Sequence, residues 1–158
     1  MKPLATIIIG FIAGLAISGV LGDLIVAVNK AAGRASVAWT VSKAQKAFTA
    51  GDYSLAYSRY QKALKNIPPN NKILLAKTKN NAALSLFNLS YDEKNIIGVE
   101  NAISIFNESL AIYKEIPDLE NAKQVETNIA EAQKAVKELE EEASVLSLRA
   151  VGCAGAIK

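Results

Sequence analysis

Two alanine-rich amphipathic segments joined at Gly51-Asp52 constrain this chain more than any other feature. They occupy residues 37–68, VAWTVSKAQKAFTAGDYSLAYSRYQKALKNIP. Ahead of the turn, Ala44, Ala47 and Phe48 recur on one face at helical spacing, and after it Ala56, Tyr60, Ala63 and Leu64 do the same. Gly51 suits the positive φ that ends a first helix, and Asp52 suits the position that accepts from the free N–H groups opening a second. Pro68-Pro69 stops the second helix. Small side chains at the contact let the two helices approach closely, with Tyr53 and Tyr60 filling the space beside them. The spacing predicts an antiparallel helical hairpin.

Gly51-Asp52-Tyr53, Ala56, Tyr60, Ala63-Leu64 and Pro68, with Ala44 at the small-residue position of the first helix, resemble the signature of a tetratricopeptide repeat. The resemblance implies helix pairs stacked into a concave surface lined by the first helix of each pair. On that basis the partner-binding groove takes Val41, Gln45, Phe48 and Thr49 from the first pair. It takes Lys77, Asn80, Leu84 and Asn88 from the second, and Gln124, Thr127 and Glu131 from a capping helix. Receptors of this family that hold C-terminal carboxylates carry a Lys/Asn clamp in the groove. Val41 and Gln45 do not supply its first part, so binding of chaperone tails is not expected.

Beyond Pro68-Pro69-Asn70 a second pair begins, with Asn81, Ala83, Leu84, Leu86, Phe87 and Leu89 in its first helix. Where a short turn is expected the chain reads SYDEKNIIGVE, several residues too long. Residues 90–98 are read as a surface loop or a lengthened helix end, and the second helix as resuming at Glu100 with Ala102, Phe106, Leu110 and Tyr113 on one face. Asp118 is placed as the N-cap of a terminal helix whose polar outer faces suit a solubilising cap. The expected fold is all-α: an N-terminal transmembrane helix (residues 1–29), about two repeats with a capping helix (30–142), and a tail (143–158) with no assigned role.

The transmembrane reading rests on residues 4–22, LATIIIGFIAGLAISGVLG, which carry no charge and span ~28 Å as a helix. Apolar residues resume after Asp23, beyond any plausible cleavage site. An uncleaved membrane helix is therefore preferred to a signal peptide, whose apolar core is shorter. Asp23 falls near one end of the span, where an interfacial residue is tolerated; a polar contact to another membrane subunit is the other reading. Gly10, Gly14, Ser18 and Gly22 form a small-residue stripe suited to helix packing in the bilayer. Lys30, Arg34, Lys43 and Lys46 after the span point the following domain towards the cytoplasm, against Lys2 and the α-amino group before it.

Composition limits the chemistry. The chain has no histidine, and its single cysteine, Cys153, lies in the tail. Neither a Gly-rich phosphate loop nor a nucleophile turn occurs. No catalytic residue, metal ligand or cofactor is expected, and the chain is read as a non-enzyme. Its charge is polarised: residues 30–79 carry a net +9 and residues 80–142 a net −8, an asymmetry that orients a charged contact. The partners expected are a protein at or in the membrane, the lipid bilayer and a second copy of the chain, with no nucleic acid. The function read from these features is a membrane-anchored scaffold for protein–protein interaction. The alternatives are an accessory subunit of a membrane complex, held by the glycine stripe, and an exported protein of the same repeat type.

Overall fold

The computed structural model describes residues 20–154, and every regular element among them is an α-helix. These are α1 (Val20–Thr49), α2 (Tyr53–Leu64), α3 (Lys72–Asp92), α4 (Ile96–Glu115) and α5 (Leu119–Ala154). Residues 4–19 of the apolar run lie outside the described residues, as do Gly10, Gly14 and Ser18; Gly22 lies near the start of α1. No described helix is long and apolar enough to cross a membrane.

The chain divides into two units, residues 1–36 and 37–158. In the first, Val28 is exposed and Gly33 has open space where a Cβ would stand. In the second, the remainder of α1 and the four later helices form successive antiparallel pairs.

The first hairpin forms as its residues require. Gly51 takes φ +78°, its N–H donates to the Phe48 carbonyl at 3.0 Å, and the Asp52 N–H donates to the Ala47 carbonyl at 3.0 Å. The Asp52 carboxylate then accepts from the Leu55 N–H at 3.0 Å, capping α2. Ala44, Ala47, Ala56 and Tyr60 are buried together with Ala82 of α3, and Tyr53 stacks edge-on against Phe48 at 5.4 Å. Helix α2 ends at Leu64, four residues ahead of Pro68, which has no N–H to donate to the Leu64 carbonyl.

The long segment after Ser90 is a lengthened helix end. Helix α3 continues to Asp92, and α4 starts at Ile96 rather than Glu100. The turn between them repeats the two closing backbone hydrogen bonds of the first and its side-chain cap. Lys94 takes φ +53°, its N–H donates to the Tyr91 carbonyl at 3.0 Å, and the Asn95 N–H donates to the Ser90 carbonyl at 2.7 Å. The Asn95 side chain caps α4 through the Gly98 N–H at 3.0 Å. Asp52 and Asn95, the two equivalent caps, stand 43 residues apart; a tetratricopeptide array repeats every ~34. The excess goes into length: α2 has 12 residues, whereas α3 has 21 and α4 has 20.

Small residues line the α3–α4 seam. A Cβ on Gly98 would lie 2.7 Å from the Ser90 Cβ and closer still to its Oγ. The Ser109 hydroxyl donates to the Ala76 carbonyl across the seam at 2.8 Å. The larger core cluster lies beside it, built on Val99, Phe106, Leu110, Tyr113 and Val125. Burial of each such side chain contributes about 1.5–3 kcal/mol. Asp118 caps α5 through the Asn121 N–H at 3.2 Å. The tail is not a separate element, since α5 runs to Ala154 and includes Cys153. Asn88 and Asn107, each within an Asn-x-Ser triplet, lie inside α3 and α4 with their amides donating to the Leu84 and Ile103 carbonyls.

Candidate partner-binding face

The first helix of each pair, α1, α3 and the terminal α5, brings a set of carboxamides onto neighbouring elements. From α1, Gln45 Oε1 accepts from the Tyr60 hydroxyl of α2 at 3.0 Å. Asn81 of α3 also bonds that hydroxyl, and the phenol titrates above its ordinary range, chiefly because burial disfavours the phenolate, with the Asn81 bond partly offsetting this. Gln45, Phe48, Tyr60, Asn81 and Leu84 enclose a pocket of about 140 Å³. Its floor is aromatic and aliphatic, and its polar groups are neutral amides and one phenol. Such groups bind a peptide backbone by donating and accepting at once.

A second amide cluster joins α3 to α5. Asn128 Nδ2 donates to Asn80 Oδ1 at 3.0 Å, and Gln124 Nε2 donates to Asn128 Oδ1 at 3.2 Å. Asn128 is only 6% exposed, so its amide depends on these bonds to offset desolvation.

Of the expected groove residues, Gln45, Phe48 and Leu84 share the pocket, and Asn80 and Gln124 share the second cluster through Asn128. Val41 packs against the first core cluster. Asn88, Thr49 and Thr127 turn their side chains onto carbonyls of their own helices. Lys77 and Glu131 are exposed on α3 and α5. Sequence reasoning missed Asn81 and Asn128 as parts of the face and treated Tyr60 as filler. The available signal was an amide inside an apolar stripe: Asn128 sits between Val125 and Ala132, both buried.

Charge is arranged around this face. Lys72–Glu115, Lys79–Glu108 and Lys114–Glu126 pair the helices across their exposed sides. Among the described residues no group of three or more acidic or thiol side chains is placed to hold a metal ion. No family model, curated protein or solved structure matches the chain.

Proposed function

We propose that the chain is a membrane-anchored scaffold whose helical-hairpin array, of the tetratricopeptide kind in its first pair and longer in its second, holds an extended segment of a protein partner at the bilayer surface. The observation that carries this reading is the amide-lined pocket of Gln45, Tyr60 and Asn81 over Phe48 and Leu84. It lies on the helices that the repeat resemblance assigns to partner contact. Neutral donors and acceptors above an apolar floor suit main-chain amides and one or two apolar side chains. The uncharged run of residues 4–22 supports the anchor, and the basic residues that follow support a cytoplasmic domain lying against anionic headgroups. No catalytic group enters this reading.

The test is a pull-down of the full chain in mild detergent, with captured proteins identified by mass spectrometry. A variant carrying Gln45→Arg and Leu84→Glu, which fills and charges the pocket, should lose the partner while keeping its helical circular dichroism. Retention of the same partner by that variant would exclude the pocket. Removal of residues 1–35 separates the scaffold from an accessory subunit held by its glycine stripe. Capture that survives the removal supports the scaffold, and capture that needs those residues supports the subunit.

A further inference from the structure

Helix α5 outruns its partners. Up to residue 147 the last buried residue is Leu139, and residues 140–147 are all exposed, yet the helix continues to Ala154. The apolar stripe that packs within the body does not stop with the body. Leu139, Ala143 and Leu146 follow one another at four and three residues and so lie on one face. Val145 lies beside them; Val145 and Leu146 are 47% and 61% exposed. Across from this face stand Tyr91, at 42% exposure, and Lys94 at the α3–α4 turn. Together they form an open trough of about 550 Å³, rimmed by Glu138, Glu141 and Glu142.

Two features fix the chemistry of an occupant. The rim carries three carboxylates: Glu142 lies 2.5 Å from the Lys94 Nζ, Glu138 is paired along its own helix with Lys134 at 3.2 Å, and Glu141 adds a third. A second copy of the same trough would bring its glutamates against these, and like charges across a contact oppose association. Symmetric self-pairing is therefore disfavoured, and a cationic occupant is favoured. The floor, in turn, is an apolar helix face left exposed among the described residues, so the shape it accepts is another helix. Lys94 is also the one non-glycine residue at positive φ among the described residues. The backbone conformation that carries it across the trough is one most side chains avoid.

We propose that this trough docks a basic amphipathic helix of a partner protein, with its apolar side chains on Leu139, Val145, Leu146 and Tyr91 and its Lys/Arg residues on Glu138, Glu141 and Glu142. Lys94 neutralises Glu142 in the free protein, and a cation of the incoming helix takes its place there. The surface is distinct from the amide-lined pocket and does not depend on it.

The experiment uses the full chain in nanodiscs of zwitterionic phosphatidylcholine, with empty nanodiscs as the blank. The probe is a fluorescent Leu/Lys amphipathic peptide of about five helical turns. A scrambled peptide of the same composition and a Leu/Glu peptide serve as controls. Anisotropy should show salt-sensitive binding of the ordered Leu/Lys peptide, about tenfold tighter than the scrambled one. Leu146→Glu and Glu141→Lys should each abolish that preference. Lys94→Asn, which keeps a residue tolerant of positive φ, should tighten binding. Gln45→Arg with Leu84→Glu should leave it unchanged, so that loss of the pocket and loss of the trough read out separately. Equal binding of ordered and scrambled peptides would reduce the trough to a patch of negative charge and overturn the proposal. So would ordered-peptide binding that ignores Leu146→Glu, or binding of the Leu/Glu peptide in preference.

Discussion

Gly98→Ala sets two well-known effects against each other, and the α3–α4 seam decides which wins. In an open helical position the change from glycine to alanine stabilises by ~1 kcal/mol. Gly33 is such a position, with nothing within 4 Å of the added methyl. At Gly98 the methyl would stand 2.7 Å from the Ser90 Cβ. Rotation of the serine hydroxyl does not relieve that approach, because the Cβ is fixed to the α3 backbone. The helices must move apart, which disturbs the Ser109–Ala76 hydrogen bond and the fully buried Ala102. Overpacking of this kind costs about 1–3 kcal/mol, and a contact this close belongs in the upper half of that range. The net result is a loss of about 1–2 kcal/mol, or a fall of roughly 2–8 °C in melting temperature for a chain of this size. Thermal melts of the full chain in mild non-ionic detergent, followed by circular dichroism, should show Gly33→Ala above the parent and Gly98→Ala below it. Ser90→Gly combined with Gly98→Ala should recover most of the seam. If Gly98→Ala melts as high as Gly33→Ala, the seam accommodates the methyl and the reasoning from the close approach at Ser90 is refuted.

Gly51→Ala places a Cβ at φ +78° and should cost about 1–2 kcal/mol in chemical denaturation. Asn128→Ala leaves the Asn80 and Gln124 amides without their shared partner and should cost about 1–3 kcal/mol, most of it retained in Asn80→Ala/Asn128→Ala if the two act as a unit. Thr78→Val removes a buried hydroxyl that has no hydrogen-bond partner and should raise stability by about 1 kcal/mol, measured by the urea midpoint. Tyr60 and Tyr113 both titrate above the ordinary phenol value of 10.0, chiefly through burial. Their neutral forms are the ones the fold accepts, so this stability is fully present below pH 10 and falls as pH rises through the elevated values. Tyr113→Phe should make that alkaline fall shallower with little change at neutral pH.

The first hairpin was legible because each of its signals is local. Gly51, Asp52 and the alanines at three- and four-residue spacing act within a few residues of their own positions. The second turn was hidden because a lysine stands where glycine stood before. Lys94 carries no turn signal of its own, and the capping role of Asn95 went unread. Gly98 suggested a late break in the chain, whereas its role is to let α4 touch Ser90. The amide face was half legible. Gln45, Asn80, Leu84 and Gln124 followed from the repeat resemblance, but the pairing of Asn80 with Asn128 is a tertiary contact that no local pattern encodes. Thr49, Asn88 and Thr127 illustrate the opposite error. Short polar side chains on helices satisfy themselves on the preceding turn, which removes them from a groove that spacing alone would give them.

The departures from a 34-residue period and the acidic trough have one physical origin. The first pair closes its turn at Gly51-Asp52 with a short α2, and alanines and Tyr60 form its buried centre with Val41, Phe48, Tyr57 and Leu64 packed around them. The second pair carries its turn further along α3, to Lys94-Asn95. Those added residues include Tyr91 and Lys94, which form one wall of the trough. Helix α5 supplies the other wall by continuing past Leu139. A hairpin of the first pair's dimensions would have ended before Tyr91 and left the α5 overhang without an opposite face. The added length also moves negative charge outwards, since Glu138, Glu141 and Glu142 lie on the part of α5 that reaches the turn and passes it. Lys94 then has two consequences that oppose one another. Its backbone takes a conformation that glycine or asparagine would occupy at less cost, and its side chain neutralises Glu142. Lys94→Gly separates them: relief of the turn should raise the denaturation midpoint, while the unmasked glutamate should strengthen binding of a basic helix. A lower midpoint with unchanged binding would show that the lysine serves the turn region as a simple ion pair and has no part in masking the trough.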